Sequence, residues 1–430
     1  MTVLESAKEM VSRRTPWQIA TMALAFGTLV LLGWRQQVYH GITIGYVVAL
    51  VLLPVWVSAV RRFKGQRVFL LLCLASLVSG FVLYSFNKVN HQVDGSKLII
   101  NPALLLGLLL SVGVVLWARR LLPDWLTGLG YGLGLFLGVS DNADVAVNAW
   151  KFGYSLPVIV IALSLAGYVD ARLRSGRRIV SLVVLLALAG YSALHDSRSL
   201  FAMLALVVVL VIWQMLPRGR SRRVAIARTL LTATAVVLVV YSVASSLLVD
   251  GYLGAAAQQR SLAQIHASGS LILGGRPEMA ATAALFVFQP LGFGVGIVPS
   301  LGDIAVAKSG MLAIHYGPNN GYVEKYMFGS QFELHSTAGD LWVYFGLPGA
   351  VLALFLLWLM VRWCLLAIVS RTGLAVTLFL AVDALWNILF SPFYSSVTIM
   401  ALAVGMAALP VAATSLRRGT PRQGKILSST

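Results

Sequence analysis

Residues 102–120 read PALLLGLLLSVGVVLWARR, an apolar run closed by Arg119 and Arg120. A helix of about 20 apolar residues, rising about 1.5 Å per residue, spans the roughly 30 Å hydrocarbon core of a bilayer. A helix pairs its backbone groups internally, which hydrocarbon demands, and a basic end belongs at the headgroups. Working outward, the same pattern recurs near residues 16–34, 39–60, 68–86, 123–139, 154–170, 179–195, 199–216, 229–249, 341–361, 372–389 and 395–415. The sequence thus predicts an all-α polytopic membrane protein of about twelve transmembrane helices. Composition agrees. The chain has 430 residues, 59% hydrophobic and 11% charged, with a mean hydropathy of +0.85. Soluble domains carry roughly 25% charged residues.

The formal charge of +18 would point to nucleic acid in a soluble protein. Here the basic residues sit in short clusters between apolar runs, so they report topology and anionic membrane lipid, and no nucleic-acid partner is expected. With the N-terminus in the cytoplasm, inner loops carry Arg61, Arg62 and Lys64, then Arg119 and Arg120, Arg172 to Arg178, Arg218 to Arg228, Arg362, Arg371 and the tail from Arg417 to Lys425. About 24 basic residues fall inside and about 9 outside, and both termini lie inside. Lys8, Arg13 and Arg14 before the first run read as the leader of an uncleaved start-transfer helix. Cys73 and Cys364 fall in or beside spans and predict no disulfide framework. The glycines from Gly128 to Gly134 lack the Lys-Ser/Thr of a phosphate loop and read as close helix packing.

Three parts follow: a bundle over 1–249, an outer, helical loop over 250–340 between spans nine and ten, and three further spans and a tail over 341–430. A loop this long and apolar is expected to be functional. Ala255–His266 and Pro277–Gln289 read as helices, Pro277 suiting the first turn and Glu278 complementing its dipole. Gly310–Gly329, rich in Gly, Pro and Asn, reads as irregular. A helix restarts at Ser336 or Thr337 and continues into the tenth span.

The candidate chemistry sits on the same outer face. Arg198 opens the eighth span and suits bidentate binding of phosphate oxygens, although Asp196 is an alternative partner. Arg276 precedes a helix start, where anions bind. His335 precedes another and has the proton affinity of a general base. Asp383 lies within the eleventh span, as a functional carboxylate or a packing contact with Asn387. Asp340, Glu278 and Asp196 are supporting acids. His266 and His315 match no ligand spacing, so no metal is expected, and no motif of a cofactor site is found. The residues alone point to an anionic, lipid-linked substrate.

Three patterns, in this order, resemble the O-antigen ligase and polymerase superfamily. They are Ser197-Arg198-Ser199 opening an apolar span, Arg276 followed by Pro290-Leu291-Gly292-Phe293-Gly294-Val295-Gly296, and His335 followed by Gly346-Leu347-Pro348-Gly349. The likeness covers roughly the second half of the chain. Ser336 and Tyr344 depart from it, where the family carries Asn and commonly an acid. The resemblance implies a metal-independent glycosyltransferase of the bacterial inner membrane with its site facing the periplasm. Most like it is the ligase, which moves a glycan from undecaprenyl diphosphate to the lipid A–core acceptor. Arg198 and Arg276 would then bind the diphosphate and His335 act as base in an inverting displacement. An O-antigen polymerase is the nearest rival, a lipid-linked glycan transporter a more distant one, and a structural subunit of an assembly complex a third.

Overall fold

The computed structural model describes residues 15–173, 178–216, 259 and 276–411. The predicted ninth span, the 255–266 helix apart from Gln259, His266, and the basic clusters at 8–14, 218–228 and 417–425 lie outside the described residues. The described chain is almost all helix. Helix α1 is Pro16–Trp34, and a small hairpin pairs β1 (Gln37–Tyr39) with β2 (Ile42–Thr43). Then come α2 (Ile44–Val51), α3 (Leu53–Val60), α4 (Gln66–Asn87), α5 (Gly95–Leu121), α6 (Asp124–Leu137) and α7 (Ala143–Val147). A π-helical turn at Trp150–Tyr154 leads into α8 (Ser155–Arg172), followed by α9 (Ile179–Leu194) and α10 (Arg198–Met215). After the undescribed segment come α11 (Pro277–Phe288), α12 (Leu301–Ala313), a second π-helical turn (Tyr322–Met327), α13 (Thr337–Ser370), α14 (Ala375–Phe390) and α15 (Phe393–Ala407).

Among the described residues, six helices are long and apolar enough to cross a membrane: α1, α4, α5, α10, α13, and α8 with its leading π turn. The protein is thus an all-α membrane protein. Three readings from the sequence change. Residues 39–60 form a hairpin and two short helices, because Pro54 starts a new helix after Leu52. Residues 87–101, which the sequence leaves as an outer loop between the spans at 68–86 and 102–118, are only partly loop, since Asp94 Oδ1 accepts from the N–H groups of Ser96 and Lys97 and starts α5 early. Gly310–Gly329 is more ordered than its composition implies, ending α12 and holding the second π turn.

Helices from before and after the undescribed segment interleave. The strongest packings include α1 on α6, α4 on α13 and α5 on α15, and α10 packs more lightly on α14. The best apolar window of α5 is 67% buried, against 22% for α4, so α5 is central and α4 peripheral. The α1–α6 contact needs glycine: a side chain at Gly134 would meet the Val30 carbonyl oxygen, and one at Gly33 that of Tyr131. One end of the bundle, called the lower end, collects Arg61, Arg62, Arg119, Arg120, Arg172 and Arg371. There Arg119 pairs with Asp124 (Nε–Oδ1 2.9 Å) and donates to the carbonyls of Gly405 (2.7 Å) and Ala408 (2.8 Å), capping α15.

The upper end is organised by residues 290–298. Gly346 leaves the helical region (φ 67°, ψ −153°) and Pro348 offers no N–H, so α13 is broken and nearby carbonyls need other donors. Phe293 and Gly294 donate to the Val343 carbonyl at 2.8 and 3.0 Å. Val295 N–H reaches Gly80 O (3.3 Å), Asn87 Nδ2 reaches Phe293 O (2.7 Å), and Asp94 N–H reaches Gly296 O (2.9 Å). Gly294 needs to be glycine twice over. Its φ is +105°, and a Cβ there would strike the backbone of Leu83 and Tyr84.

Gly294→Ala is therefore expected to destabilise the protein by about 1–3 kcal/mol or more. Gly317→Ala, with open space around it, is the control. Thermal unfolding midpoints in detergent check this, and equal midpoints for the two variants would contradict it.

Candidate functional site

The upper end gathers a cluster around the start of α11. Pro277 occupies the first turn, where its missing N–H costs nothing, and Arg276 is the N-cap. The Arg276 guanidinium lies 5.5 Å from the Trp386 ring centroid and 5.3 Å from that of Phe390, and its Nη1 donates to the Phe390 carbonyl at 3.0 Å. Two aromatic faces and a carbonyl thus hold the fork against the end of α14. Glu278 is buried in the same first turn. Its Oε1 accepts the Tyr322 hydroxyl, and its Oε2 has no partner among the described residues. The helix terminus already carries this carboxylate, so binding of a further anion falls to the guanidinium rather than to the terminus alone.

Tyr322 is placed by a side-chain cap. Asn320 Oδ1 accepts Val323 N–H at 3.1 Å, starting the π turn. Lys308 of α12 anchors that turn through Glu324 and Asn319. Burial raises the pKa of the Tyr322 phenol, and the Glu278 charge raises it further, while Arg276 pulls it down. The phenol therefore stays protonated and donates to Glu278. Its ring lies 5.4 Å from that of His335, centroid to centroid.

His335 itself has a left-handed backbone (φ 48°), an uncommon state for a residue with a side chain. Its Nδ1 sits 3.0 Å from the Glu333 carbonyl. A carbonyl only accepts, so Nδ1 carries the proton of the neutral ring and Nε2 keeps its lone pair, the tautomer a base acting through Nε2 requires. The next residues fix the loop to α14: Ser336 Oγ donates to Ile388 O (3.1 Å), and Thr337 Oγ1 to Ser391 O (3.1 Å).

The structure thus brings Arg276, Glu278 and His335 together around Tyr322. Arg198 also lies at the upper end, because α10 packs on α14, which finishes there beneath Arg276. Its Nε is 3.4 Å from Asp196 Oδ1, and its Nη2 is buried with no partner among the described residues. Among the described residues no hydrogen bond or ion pair joins Arg198 to Arg276, Tyr322 or His335. Asp340 is a backbone clamp, Oδ1 accepting from Leu334 N–H (3.0 Å) and Oδ2 from Phe393 N–H (2.8 Å). Asp383 is buried within α14 and accepts from Asn387 Nδ2 at 2.8 Å, the packing contact weighed from sequence. Among the described residues no three His, Cys, Asp or Glu side chains cluster as metal ligands do, and His315 stands at the end of α12.

Sequence reading did not single out Tyr322. It sits in the Gly310–Gly329 stretch, whose composition reads as irregular, and nothing in its spacing marks it among the other aromatics. Comparison with known proteins finds that no family model and no curated protein matches the chain.

Two substitutions separate clamp from cluster. Asp340→Ala leaves two buried N–H groups unpaired and is expected to cost about 2–5 kcal/mol of stability. Tyr322→Phe orphans both Glu278 oxygens and is expected to speed amide exchange over residues 277–282 with a smaller loss, about 1–3 kcal/mol. Unfolding midpoints and peptide-level hydrogen exchange check both. An Asp340→Ala protein as stable as wild type would remove the clamp assignment.

Proposed function

We propose that this chain is an O-antigen ligase-type glycosyltransferase of the bacterial inner membrane. It would transfer a glycan from undecaprenyl diphosphate to a lipid A–core acceptor. The observation that carries this reading is the cluster in which a helix-capping arginine and a histidine with an available Nε2 flank one tyrosine, Tyr322, at one end of an apolar bundle. The order of Arg198, Arg276 and His335 along the chain supports it. So does the glycine strap, whose family-like Pro-Leu-Gly-Phe-Gly-Val-Gly sequence packs against Gly346 of the family-like Gly-Leu-Pro-Gly.

In this reading the chain has about twelve spans, and the segment from 250 to 340 lies on the periplasmic side. Arg276 and Arg198 hold the diphosphate and take up the charge that develops on it. His335 Nε2 accepts the proton of the acceptor hydroxyl. That oxygen attacks the anomeric carbon as the bond to the diphosphate breaks, which inverts the centre. Tyr322 and Glu278 position the histidine ring and the start of α11. Both lipids are held in the bilayer, which reduces the entropy lost on their meeting.

Purified protein with a polyprenyl diphosphate-linked glycan and a lipid A–core acceptor tests this. Arg198→Lys and Arg276→Lys keep charge but lose the fork, and each is expected to slow transfer about 30- to 1000-fold, or about 2–4 kcal/mol in the barrier. His335→Ala is expected to abolish turnover while binding donor normally. Wild-type protein that transfers nothing would sink the reading. Equal loss of donor binding in His335→Ala would make the histidine a diphosphate ligand.

Sidedness is checked separately in intact cells. A cysteine replacing Gly317 in a cysteine-free background is expected to label from the periplasm, and one replacing Gly219 is not. The reverse pattern would invert the orientation.

A further inference from the structure

The lower end carries cations of two kinds. Arg119 caps α15. Arg178 donates to Gln214 Oε1 and to the carbonyls of Gly373 and Arg371, and Arg371 donates to the Leu216 carbonyl. These guanidiniums tie helix ends together. The turn from α3 to α4 is different. Arg62, Lys64 and Arg67, with Arg120 at the end of α5, are all exposed, and among the described residues none of the four side chains has a hydrogen bond or an ion pair. The acids described at this end are engaged elsewhere. Arg119 takes Asp124, and Asp170 accepts the N–H groups of Val180 and Ser181. The sequence beyond Val411 adds Arg417, Arg418, Arg422 and Lys425 and no Asp or Glu.

The frame beneath these cations is rigid. Phe63 bridges Pro410, with Lys64 N–H donating to Leu409 O (2.8 Å) and Val411 N–H to Arg62 O (2.7 Å). Phe63 is buried, with the Arg119 guanidinium 5.5 Å from its ring centroid, so its neighbours Arg62 and Lys64 turn to the opposite, exposed side. Arg120 is near enough to Arg62 for the two charges to repel. Arg67 stands in the first turn of α4, where a cation adds to the positive end of the helix dipole. It is also the foot of a stripe. Leu71, Leu74 and Val78 follow it at helical spacing on one face. Leu71 is 63% exposed and Val78 65%, on the peripheral span of the bundle. A ligand that answers the cations and covers this stripe must join an anion to hydrocarbon. A soluble polyanion meets the first demand only.

We propose that the α3–α4 corner is a binding site for an anionic phospholipid, with the phosphate among Arg62, Lys64, Arg67 and Arg120 and an acyl chain along Leu71, Leu74 and Val78. The phosphate oxygens accept from the guanidiniums and the ammonium, and the lipid supplies the counter-charge that the described acids do not. The site is independent of the glycosyl-transfer reading and of which leaflet the lower end meets.

The test is native mass spectrometry of the full chain released from detergent, titrated with dioleoyl phosphatidylglycerol or dioleoyl phosphatidylcholine. Their acyl chains are the same, so the difference reads the headgroup. Wild type is expected to hold phosphatidylglycerol about tenfold more tightly or better. The triple variant Arg62→Gln, Lys64→Gln, Arg67→Gln should bring the preference to within about twofold. The double variant Arg62→Lys, Arg67→Lys keeps the charge and should keep the preference. So should Arg172→Gln, which removes a charge of the same end on α8, a helix packed on α6, α9 and α14. The substituted side chains are exposed, and unfolding midpoints in detergent verify that each variant is folded. Glycerophosphoglycerol, the headgroup without chains, and inorganic phosphate are expected to compete poorly even in large excess. No preference for phosphatidylglycerol in wild type would overturn the site. So would a preference untouched by the triple variant, or one lost equally in Arg172→Gln. Competition by the chain-free headgroup or by phosphate as effective as that of the lipid would overturn the phospholipid assignment.

Discussion

Two N–H groups, of Phe293 and Gly294, converge on the one carbonyl of Val343, and much of the upper end depends on that convergence. A broken helix in an apolar bundle is expensive, because each carbonyl left without a donor costs several kcal/mol in hydrocarbon. The break at Gly346 is tolerated where another backbone supplies donors. The strap from Pro290 to Gly296 does so, and it gets close enough only because Gly292, Gly294 and Gly296 all adopt positive φ, and a Cβ at any of them would meet backbone. Trp342 Nε1 donating to the Pro290 carbonyl at 2.9 Å closes the same contact from the side.

The position of the cluster follows. The short upper piece of α13 is held by the strap, by α4 beneath it and by the end of α14, so its N-terminus has little freedom. His335 is the residue before that N-terminus. Its left-handed backbone is imposed by neighbours on both sides: Glu333 N–H bonds to the Met327 carbonyl, and Ser336 caps α13 through Gly339 N–H. Strain of this kind persists where the surroundings over-determine it, and it is found at functional sites. Arg276 is fixed differently, by ring faces at the end of α14, yet both residues are referred to that one helix end. A loop on rigid helix ends can hold reacting groups to the accuracy that chemistry needs.

The helical spans were legible because burial in hydrocarbon writes itself as an unbroken apolar run. Residues 102–118 fall in α5, 154–170 in α8, 199–216 mostly in α10 and 341–361 in α13. Apolarity does not say whether a run is one helix, and residues 39–60 read as a single span although Pro54 divides them. Arg276 and His335 were legible as candidates because each stands just ahead of a helix start in the long segment between apolar runs. Tyr322 was not, since its role depends on the Asn320 turn and on a carboxylate 44 positions earlier, and neither leaves a local mark. Asp340 misleads in the other direction. An acid at a helix start beside a histidine looks catalytic, and only the tertiary positions of Leu334 and Phe393 reveal that its oxygens are occupied by backbone.

The arginines show what separates a structural cation from one left ready for a ligand. Arg119 is saturated: a carboxylate and two helix-terminal carbonyls surround it, and its side chain is 10% exposed. Nothing remains for it to bind. Arg276 is held as firmly in direction but not in charge. Two ring faces and one carbonyl orient it, and among the described residues no carboxylate lies within ion-pair distance. Ring quadrupoles contribute about 0.5–2 kcal/mol, far less than a desolvated anion offers a fixed guanidinium. Arg198 is intermediate, loosely matched to an exposed Asp196, while its buried Nη2 has no partner among the described residues. Glu278, the carboxylate in the first turn of α11, accepts the Tyr322 hydroxyl and lies outside ion-pair distance of the Arg276 it follows by two positions.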